Sequence, residues 1–286
     1  MNVIRFVIFA FFLCFLNVSV AFSGPTDVER KEAATREYAY CMFLGKYVGV
    51  SGVISYIQGQ QTGSSLYGNS EKLAQENCIA DTLGLIRYRD LDEIIAADDG
   101  VNLVSVDAPF VGMNKAVPHE RHVARPCTRD YLYEIAQYYR EISGGKKLRV
   151  ASLVRSRVDQ DRLSGVKKFY RRVRGRLKMM LSKKRSFADC SSSAVCSTHL
   201  TGAAIDISLR GVSKKERALL SERLLRDREA GRILVIHERV GKHFHVFVLP
   251  KQPVFLIESV LSPNNIMFED TTASSVQEVS SQTPAE

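Results

Sequence analysis

Residues with the chemistry of a metal site are concentrated in two short segments. The first, STHLTGAAID at 197–206, places His199 and Asp206 seven residues apart, and the small residues between them allow a tight turn that brings both side chains to one point. The second, HFH at 243–245, is predicted to lie on a strand, so His243 and His245 project from one face. Imidazole and carboxylate groups are ligands for Zn²⁺, and three protein ligands plus a water molecule are typical of a catalytic site. The two segments therefore predict a zinc site.

A carboxylate can be placed beside this site by the hairpin that the HFH segment completes. If Val240 and Gly241 form a two-residue turn, Glu238 faces His243 and lies diagonal to His245 on the same sheet face. A carboxylate beside a metal-activated water is what a general base requires. A slip of one residue in this register would turn Glu238 away. Glu238 could also simply form an ion pair within the turn.

The elements that position these residues are predicted from hydrophobic periodicity and capping signals. The predicted strands are 148–154, 203–208, 233–238 and 243–249. Thr128 is a candidate cap for a helix that ends near residue 142, and Ser213 with Glu216 forms a capping box for a later helix. Upstream, helices are predicted over 27–45 and 70–86, with a loop rich in Gly, Ser and Gln over 49–68.

The order of these motifs resembles that of a known group of proteins. The pattern S-x-H-x-x-G-x-A-x-D, then Glu, then H-x-H is similar to that of the superfamily of lysostaphin-type peptidases, D-Ala-D-Ala metallopeptidases and hedgehog signalling domains. Upstream, SLVRS at 152–156 with Gln160 resembles the S-G-Y-R-S … Q segment of the D-Ala-D-Ala branch. The resemblance covers roughly residues 126–250, about half of the chain that follows the signal peptide proposed below.

Carried over residue by residue, the resemblance implies a ligand set and a base. The zinc ligands would be His199, Asp206 and His245. Glu238 would be the general base, and His243 would assist at the water or the developing oxyanion. In many D-Ala-D-Ala enzymes the base lies three residues before the last ligand, where this chain has lysine, so the position of Glu238 is closer to the hedgehog-like spacing.

The resemblance also implies a substrate side of the site. Arg155 would hold a substrate carboxylate or carbonyl oxygen, with Ser197 and Gln160 in support. Leu153 and Val154 replace the usual Gly-Tyr, so the substrate contacts near Arg155 differ from those of the family. Arg155 could instead belong to a solvated basic face.

Together these features predict an α+β fold in which an antiparallel sheet carries the zinc site and helices pack to one side. The predicted function is that of an exported zinc-dependent peptidoglycan peptidase, either a D,D- or L,D-carboxypeptidase or an endopeptidase. A first alternative is a non-catalytic, zinc-containing module that binds the cell wall and does not depend on Glu238. A second is a basic secreted nucleic-acid binder.

Composition and the N-terminus bear on the compartment. The chain has 286 residues, 45% hydrophobic and 25% charged, which excludes a disordered, collagen-like or polytopic membrane protein. Arg5 precedes an apolar run over 6–16, and small-x-small patterns follow, as in a secretory signal peptide over 1–23. No later segment is expected to span a membrane, so the mature protein should be periplasmic or extracellular.

The remaining chain is divided into three predicted regions. They are an N-terminal region of unknown role, mostly helical, over 24–125, a zinc metallopeptidase-like domain over 126–262, and a disordered tail over 263–286.

The basic residues are concentrated in one segment. The chain has a formal charge of +9, and residues 155–185 alone carry a local net charge of +11. An apolar residue recurs every three or four positions over 163–180, which predicts an amphipathic helix with a basic face. This face could contact anionic cell-wall polymer or be simply solvated. Only Phe169 and Tyr170 are interleaved as stacking aromatics, which argues against nucleic acid.

The cysteines allow two disulfides in an exported protein. Cys190 and Cys196 would form a short-loop disulfide just before the His199 segment. Alternatively, both could join His199 around a structural zinc. Cys41 and Cys78 could form a second bridge, which would leave Cys127 unpaired.

Overall fold

The computed structural model describes residues 26–60, 66, 70–164, 168–173, 176–181, 188, 190, 192–238 and 242–250. All of them lie within one compact unit, residues 1–251. The predicted signal peptide over 1–23 and the predicted disordered tail over 263–286 lie outside the described residues.

Three helices come first in the described chain, and strands interspersed with further helices follow. The helices are α1 (Asp27–Gln60), α2 (Ser70–Thr82), α3 (Leu91–Ala97), α4 (Pro126–Ile142), α5 (Arg157–Ser164) and α6 (Lys214–Glu229). The strands are β1 (Val104–Ser105), β2 (Val111–Met113), β3 (Val123–Ala124), β4 (Leu148–Ser152), β5 (Lys168–Val173), β6 (Arg176–Leu181), β7 (Ala204–Ser208), β8 (Ile233–Glu238) and β9 (His243–Val248). Short 3₁₀ turns lie at His119–Arg121, Ser193–Val195 and Thr198–Thr201.

The central sheet has five strands in the order β2-β4-β7-β9-β8. It is mixed, because β2 and β4 are parallel while the other neighbouring pairs are antiparallel. The α+β class is therefore confirmed. The strands β7, β9 and β8, which carry the candidate site residues, are antiparallel as predicted, whereas the pairing of β2 with β4 makes the whole sheet mixed. The short strand β2 had no clear hydrophobic pattern in the sequence, which is why its parallel pairing was not anticipated.

Helices cover both faces of this sheet. One face packs against α4 and α6 in the larger core cluster, which includes Leu132, Leu220 and Phe244. The opposite face contributes Leu234 and Phe247 to a second core with α1 and α2. The expectation of helices on one side only is wrong, because successive residues of the central strands are apolar and both faces need a cover.

Helix α1 extends through residues that were expected to form a loop. Gly49 has a positive φ of 68°, which introduces a kink, and the helix then continues to Gln60. Val53 and Ile57 beyond the kink are buried in the core with α2, so tertiary packing compensates for weak helix propensity. Among the described helices, α1 is long and apolar enough to cross a membrane by length and composition, contrary to expectation, although one such helix near an N-terminus is weak evidence for a span.

The basic segment is not one amphipathic helix. Its first part is α5, and β5 and β6 then form a two-stranded antiparallel hairpin that pairs Lys168 with Leu181 and Val173 with Arg176. The three-to-four-residue spacing was therefore misleading, because the same residues include β-branched and aromatic types that suit strands.

Of the two predicted helix caps, the structure contains the one on α6 and not the one on α4. The capping box of α6 is confirmed: the Ser213 hydroxyl accepts from the Glu216 N–H, and the Glu216 carboxylate accepts from the Ser213 N–H. Thr128, however, does not cap α4. That helix begins at Pro126, whose fixed φ suits a first turn, and Thr128 is buried within it.

Candidate metal centre

Three buried side chains converge at the second face of the central sheet. His199 comes from the 3₁₀ turn before β7, while Asp206 on β7 and His245 on β9 are directly paired in the sheet register. One ligand atom from each lies within 4.8 Å of the others, so the group could hold a metal ion. The Oδ1 atom of Asp206 lies 3.0 Å from His199 Nε2 and 3.0 Å from His245 Nδ1.

The hydrogen bonding of His199 leaves one nitrogen directed at this point. Its Nδ1 lies 2.7 Å from the carbonyl oxygen of Leu153, which can only accept, so Nδ1 carries the hydrogen. Its Nε2 is buried and has no hydrogen-bond partner among the described residues. Burial, and then the charge of Arg155, lower the pKa of His199 to about 4. His199 is therefore a neutral imidazole at pH 7, with a lone pair directed at the site.

His245 is placed between two carboxylates. Its Nε2 lies 3.0 Å from Glu76 Oε2 and 3.2 Å from Thr198 Oγ1, on the side away from Asp206. Burial lowers the pKa of His245, but the charge of Glu76 and the hydrogen bonds that His245 makes to Asp206 and Glu76 outweigh burial. The pKa of His245 is therefore well above its ordinary value.

Asp206 remains ionised despite complete burial. Burial raises its pKa, but the neighbouring His199 and His245 and the charge of Arg155 hold the pKa well below its ordinary value. Arg155 Nη2 donates to Asp206 Oδ2 over 2.8 Å, which leaves Oδ1 directed at the two histidines.

This donor set fits a metal ion on two grounds. The buried Nε2 of His199 has a lone pair with no hydrogen to accept, which is costly unless a cation is present. In addition, tetrahedral ligands about 2.0–2.1 Å from an ion would be roughly 3.3 Å apart, close to the 3.0 Å separations from Asp206 Oδ1. Two imidazoles and one carboxylate form a ligand set that a divalent transition metal accepts.

The hairpin β8–β9 has the register that was predicted. Glu238 pairs with His243, and Ile236 pairs with His245. His243 Nε2 lies 3.2 Å from Glu238 Oε2 and 3.5 Å from Asp206 Oδ1. Partial burial raises the pKa of Glu238, but the hydrogen bond with His243 and the charges of His245 and His243 together outweigh burial, so the pKa lies below its ordinary value. With a side chain 51% exposed, Glu238 is an ionised carboxylate at the open edge of the site.

Of the residues predicted on the substrate side, Arg155 contacts Asp206 directly, Gln160 contacts Arg155, and Ser197 has no side-chain hydrogen bond with either among the described residues. Arg155 is 17% exposed and donates from Nε to Ser152 Oγ over 2.9 Å and from Nη1 to Gln160 Oε1 over 3.3 Å. Gln160 in turn donates to the Ala188 carbonyl oxygen. Ser197 is buried before the 3₁₀ turn, and its carbonyl oxygen accepts from the Leu200 N–H.

Two disulfides hold segments next to the centre. Cys190 and Cys196 are bonded as predicted, and so are Cys41 and Cys78. The alternative structural zinc on Cys190, Cys196 and His199 is excluded, because neither sulfur is a free thiolate and His199 faces Asp206. Cys127 is a free cysteine.

Sequence reasoning missed Glu76 and Thr198 as neighbours of His245. Thr198 lies within the STHLTGAAID segment, so its proximity could have been found by testing each hydroxyl of that segment. Glu76 had no such signal, because one glutamate in a polar helix cannot be distinguished from its surface neighbours without the tertiary structure.

Comparisons with known proteins give no further assignment. No protein-family model matches the chain, and no curated protein or solved structure was found to match it. The superfamily resemblance rests on the motif residues of the sequence. The convergence of His199, Asp206 and His245 is an observation independent of it.

Proposed function

We propose that this protein is an exported zinc-dependent peptidase that hydrolyses a peptide bond in peptidoglycan. The observation that supports the proposal best is the convergence of His199 Nε2, Asp206 Oδ1 and His245 Nδ1 beside the ionised carboxylate of Glu238. Two imidazoles and a carboxylate are a ligand set of catalytic zinc sites, which keep a further position for water or substrate.

The residues around the centre have separable tasks. Zinc held by these three ligands would supply Lewis acidity, which lowers the pKa of a water molecule and polarises a carbonyl group. Glu238 accepts the proton of the attacking water and passes it to the leaving amine, since its lowered pKa keeps it ionised at neutral pH. His243, within 3.2 Å of Glu238, orients that carboxylate and donates to negative charge that develops on the substrate.

Arg155 connects the ligand shell to the substrate side. Three of its five N–H groups are directed at Ser152, Gln160 and Asp206. The remaining N–H groups have no hydrogen-bond partner among the described residues and would contact a substrate carboxylate or carbonyl oxygen. Arg155 would thus both orient Asp206 and contact the substrate.

The substrate class is proposed from the resemblance and from the compartment. The motif order resembles that of a superfamily that includes peptidases acting on D-amino-acid peptides, and the two disulfides are compatible with export. Basic residues over 155–185 would lie close to anionic cell-wall polymer.

A metal analysis tests the centre itself. The purified mature protein should bind one zinc ion per chain, and His199→Ala, Asp206→Ala and His245→Ala should each abolish tight binding. The matched control is His119→Ala, because His119 is exposed and lies outside the cluster. Elemental analysis after dialysis measures the occupancy. Full zinc occupancy in the His199→Ala protein would contradict the ligand assignment.

A digest of purified sacculi tests the reaction. Soluble products identified by mass should appear with the zinc-loaded protein and disappear with a chelator. Glu238→Gln should keep its zinc and lower turnover by ~10²-fold or more, the usual scale for loss of a general base. The control is Glu222→Gln, a charge change at an exposed ion pair on α6. A protein that binds zinc and sacculi without releasing products would instead be a binding module.

A further inference from the structure

We infer that Glu76 is a positioning residue for the metal centre, and that helix α2 is therefore part of that centre. This inference rests on the proposed ligand set of His199, Asp206 and His245. It assigns a role to the N-terminal helices, for which the sequence indicated none. Glu76 itself would not bind the ion, since its carboxylate contacts His245 Nε2, the ring nitrogen on the side away from Asp206.

The hydrogen bonds around Glu76 determine which nitrogen of His245 faces the ion. Thr198 donates its hydroxyl hydrogen to Glu76 Oε2 over 3.0 Å. Thr198 has given its only hydroxyl hydrogen to Glu76 Oε2, so both oxygens face His245 Nε2 as acceptors and the hydrogen in this contact is on Nε2. The nitrogen available to an ion is therefore Nδ1, which lies on the Asp206 side of the ring. A carboxylate that fixes the tautomer and orientation of a ligand histidine raises metal affinity.

Helix α2 holds Glu76 in place through its neighbours in the sequence. Asn77 donates to the Cys196 carbonyl oxygen over 2.7 Å, just before the segment that carries His199. Cys78 is bonded to Cys41 on α1. Successive helical residues point about 100° apart, so Glu76, Asn77 and Cys78 attach α2 to three different segments. All three residues are fully buried.

This arrangement resists any movement of Glu76 away from His245. A buried carboxylate is costly without partners. Glu76 Oε2 has two partners, Thr198 and His245, whereas Oε1 has no hydrogen-bond partner among the described residues, so these two contacts hold the side chain. Replacing Glu76 with glutamine removes the charge but keeps a carbonyl that can accept from Nε2–H. Replacing it with alanine removes the charge and the acceptor, so His245 can adopt either tautomer.

Zinc affinity and the tautomer of His245 together test the inference. The dissociation constant for Zn²⁺ is measured by competition with a chromophoric chelator for the wild type, Glu76→Gln and Glu76→Ala. The control is Glu71→Gln, the same charge change on the same helix in its first turn. We expect about 10-fold weaker binding for Glu76→Gln and about 100-fold for Glu76→Ala, the range found for such partners. Nitrogen-15 NMR of the zinc-loaded protein should show a hydrogen on His245 Nε2 in the wild type and in Glu76→Gln.

The outcomes separate this inference from the proposed function. If the wild type binds no zinc, the proposed centre itself is wrong. If the wild type binds zinc and both Glu76 variants bind it within twofold, Glu76 has no positioning role although the centre stands. If Glu76→Ala does not fold, Glu76→Gln decides, because it keeps the side-chain volume. A loss of affinity that Glu71→Gln reproduces would also overturn the inference.

Discussion

The pH dependence of metal binding should report the different states of the two ligand histidines. Burial and then the charge of Arg155 lower the pKa of His199 to about 4, so this ring is already neutral at pH 5. Burial also lowers the pKa of His245, but Glu76 and Asp206 raise it well above its ordinary value. Nδ1 of His245 must lose its proton to bind an ion, so binding releases one proton and affinity rises with pH.

The expected change is about tenfold per pH unit, or about 1.4 kcal/mol, and roughly 100-fold from pH 5 to 7 at a constant slope of about 1. Two histidines with ordinary pKa values near 6.5 would behave differently. Their affinity would rise roughly 600-fold over the same range, with a slope that falls from about 2 to about 0.5. The way the slope changes with pH therefore distinguishes the two cases more clearly than the total rise in affinity from pH 5 to 7.

The assay is chelator competition at half-unit pH steps, corrected for the protonation of the chelator. Titration calorimetry at pH 6.5 in two buffers of different ionisation enthalpy gives the number of protons released. The His119→Ala protein serves as the control for histidines outside the site. A slope near 2 at pH 5.5 would refute the neutral state of His199. Flattening before pH 7 would refute the charged state of His245.

Two further predictions concern charged groups. Arg155→Lys should reduce kcat/KM by ~10-fold or more on a free-acid peptide and much less on its C-terminal amide. The reason is that lysine cannot form paired hydrogen bonds to a carboxylate. Equal losses of kcat/KM on the acid and the amide would instead favour an endopeptidase. Asp227→Asn should lower the free energy of unfolding in urea by about 3 kcal/mol, because buried Asp227 pairs with Arg223 and Arg232; an effect no larger than that of Glu222→Gln would contradict this.

The convergence of the candidate metal ligands could be predicted from the sequence because the constraints on their positions are local. His199 and Asp206 are joined by a short turn, and His243 and His245 share a strand face by the two-residue repeat. The pairing of Glu238 with His243 followed from a tight hairpin. The register of a two-residue hairpin depends on few residues, so it can be read without the rest of the fold.

Other parts of the centre depend on contacts that no local pattern encodes. Glu76 reaches His245 only because α1 and α2 pack on the second face of the sheet. The position of Arg155 against Asp206 depends on the pairing of β4 with β7, which contains an irregularity between Val150 and Ser152. The apolar spacing over 168–181 also gave a wrong prediction, because it fits both a helix and a strand. The structure has a hairpin there.

The separation of Glu76 and His245 by 169 positions has a consequence for the order of folding. Contacts between such distant segments require closure of a long loop, which slows folding. During synthesis, α2 is complete long before β9. The Glu76 carboxylate therefore has no histidine partner until His245, near the end of the described chain, has been made. A metal ion that binds only the closed arrangement stabilises the folded chain by mass action. An incomplete chain that lacks β9 thus lacks His245 and leaves Glu238 without its strand partner His243, so the proposed activity would begin only when the whole sheet has formed.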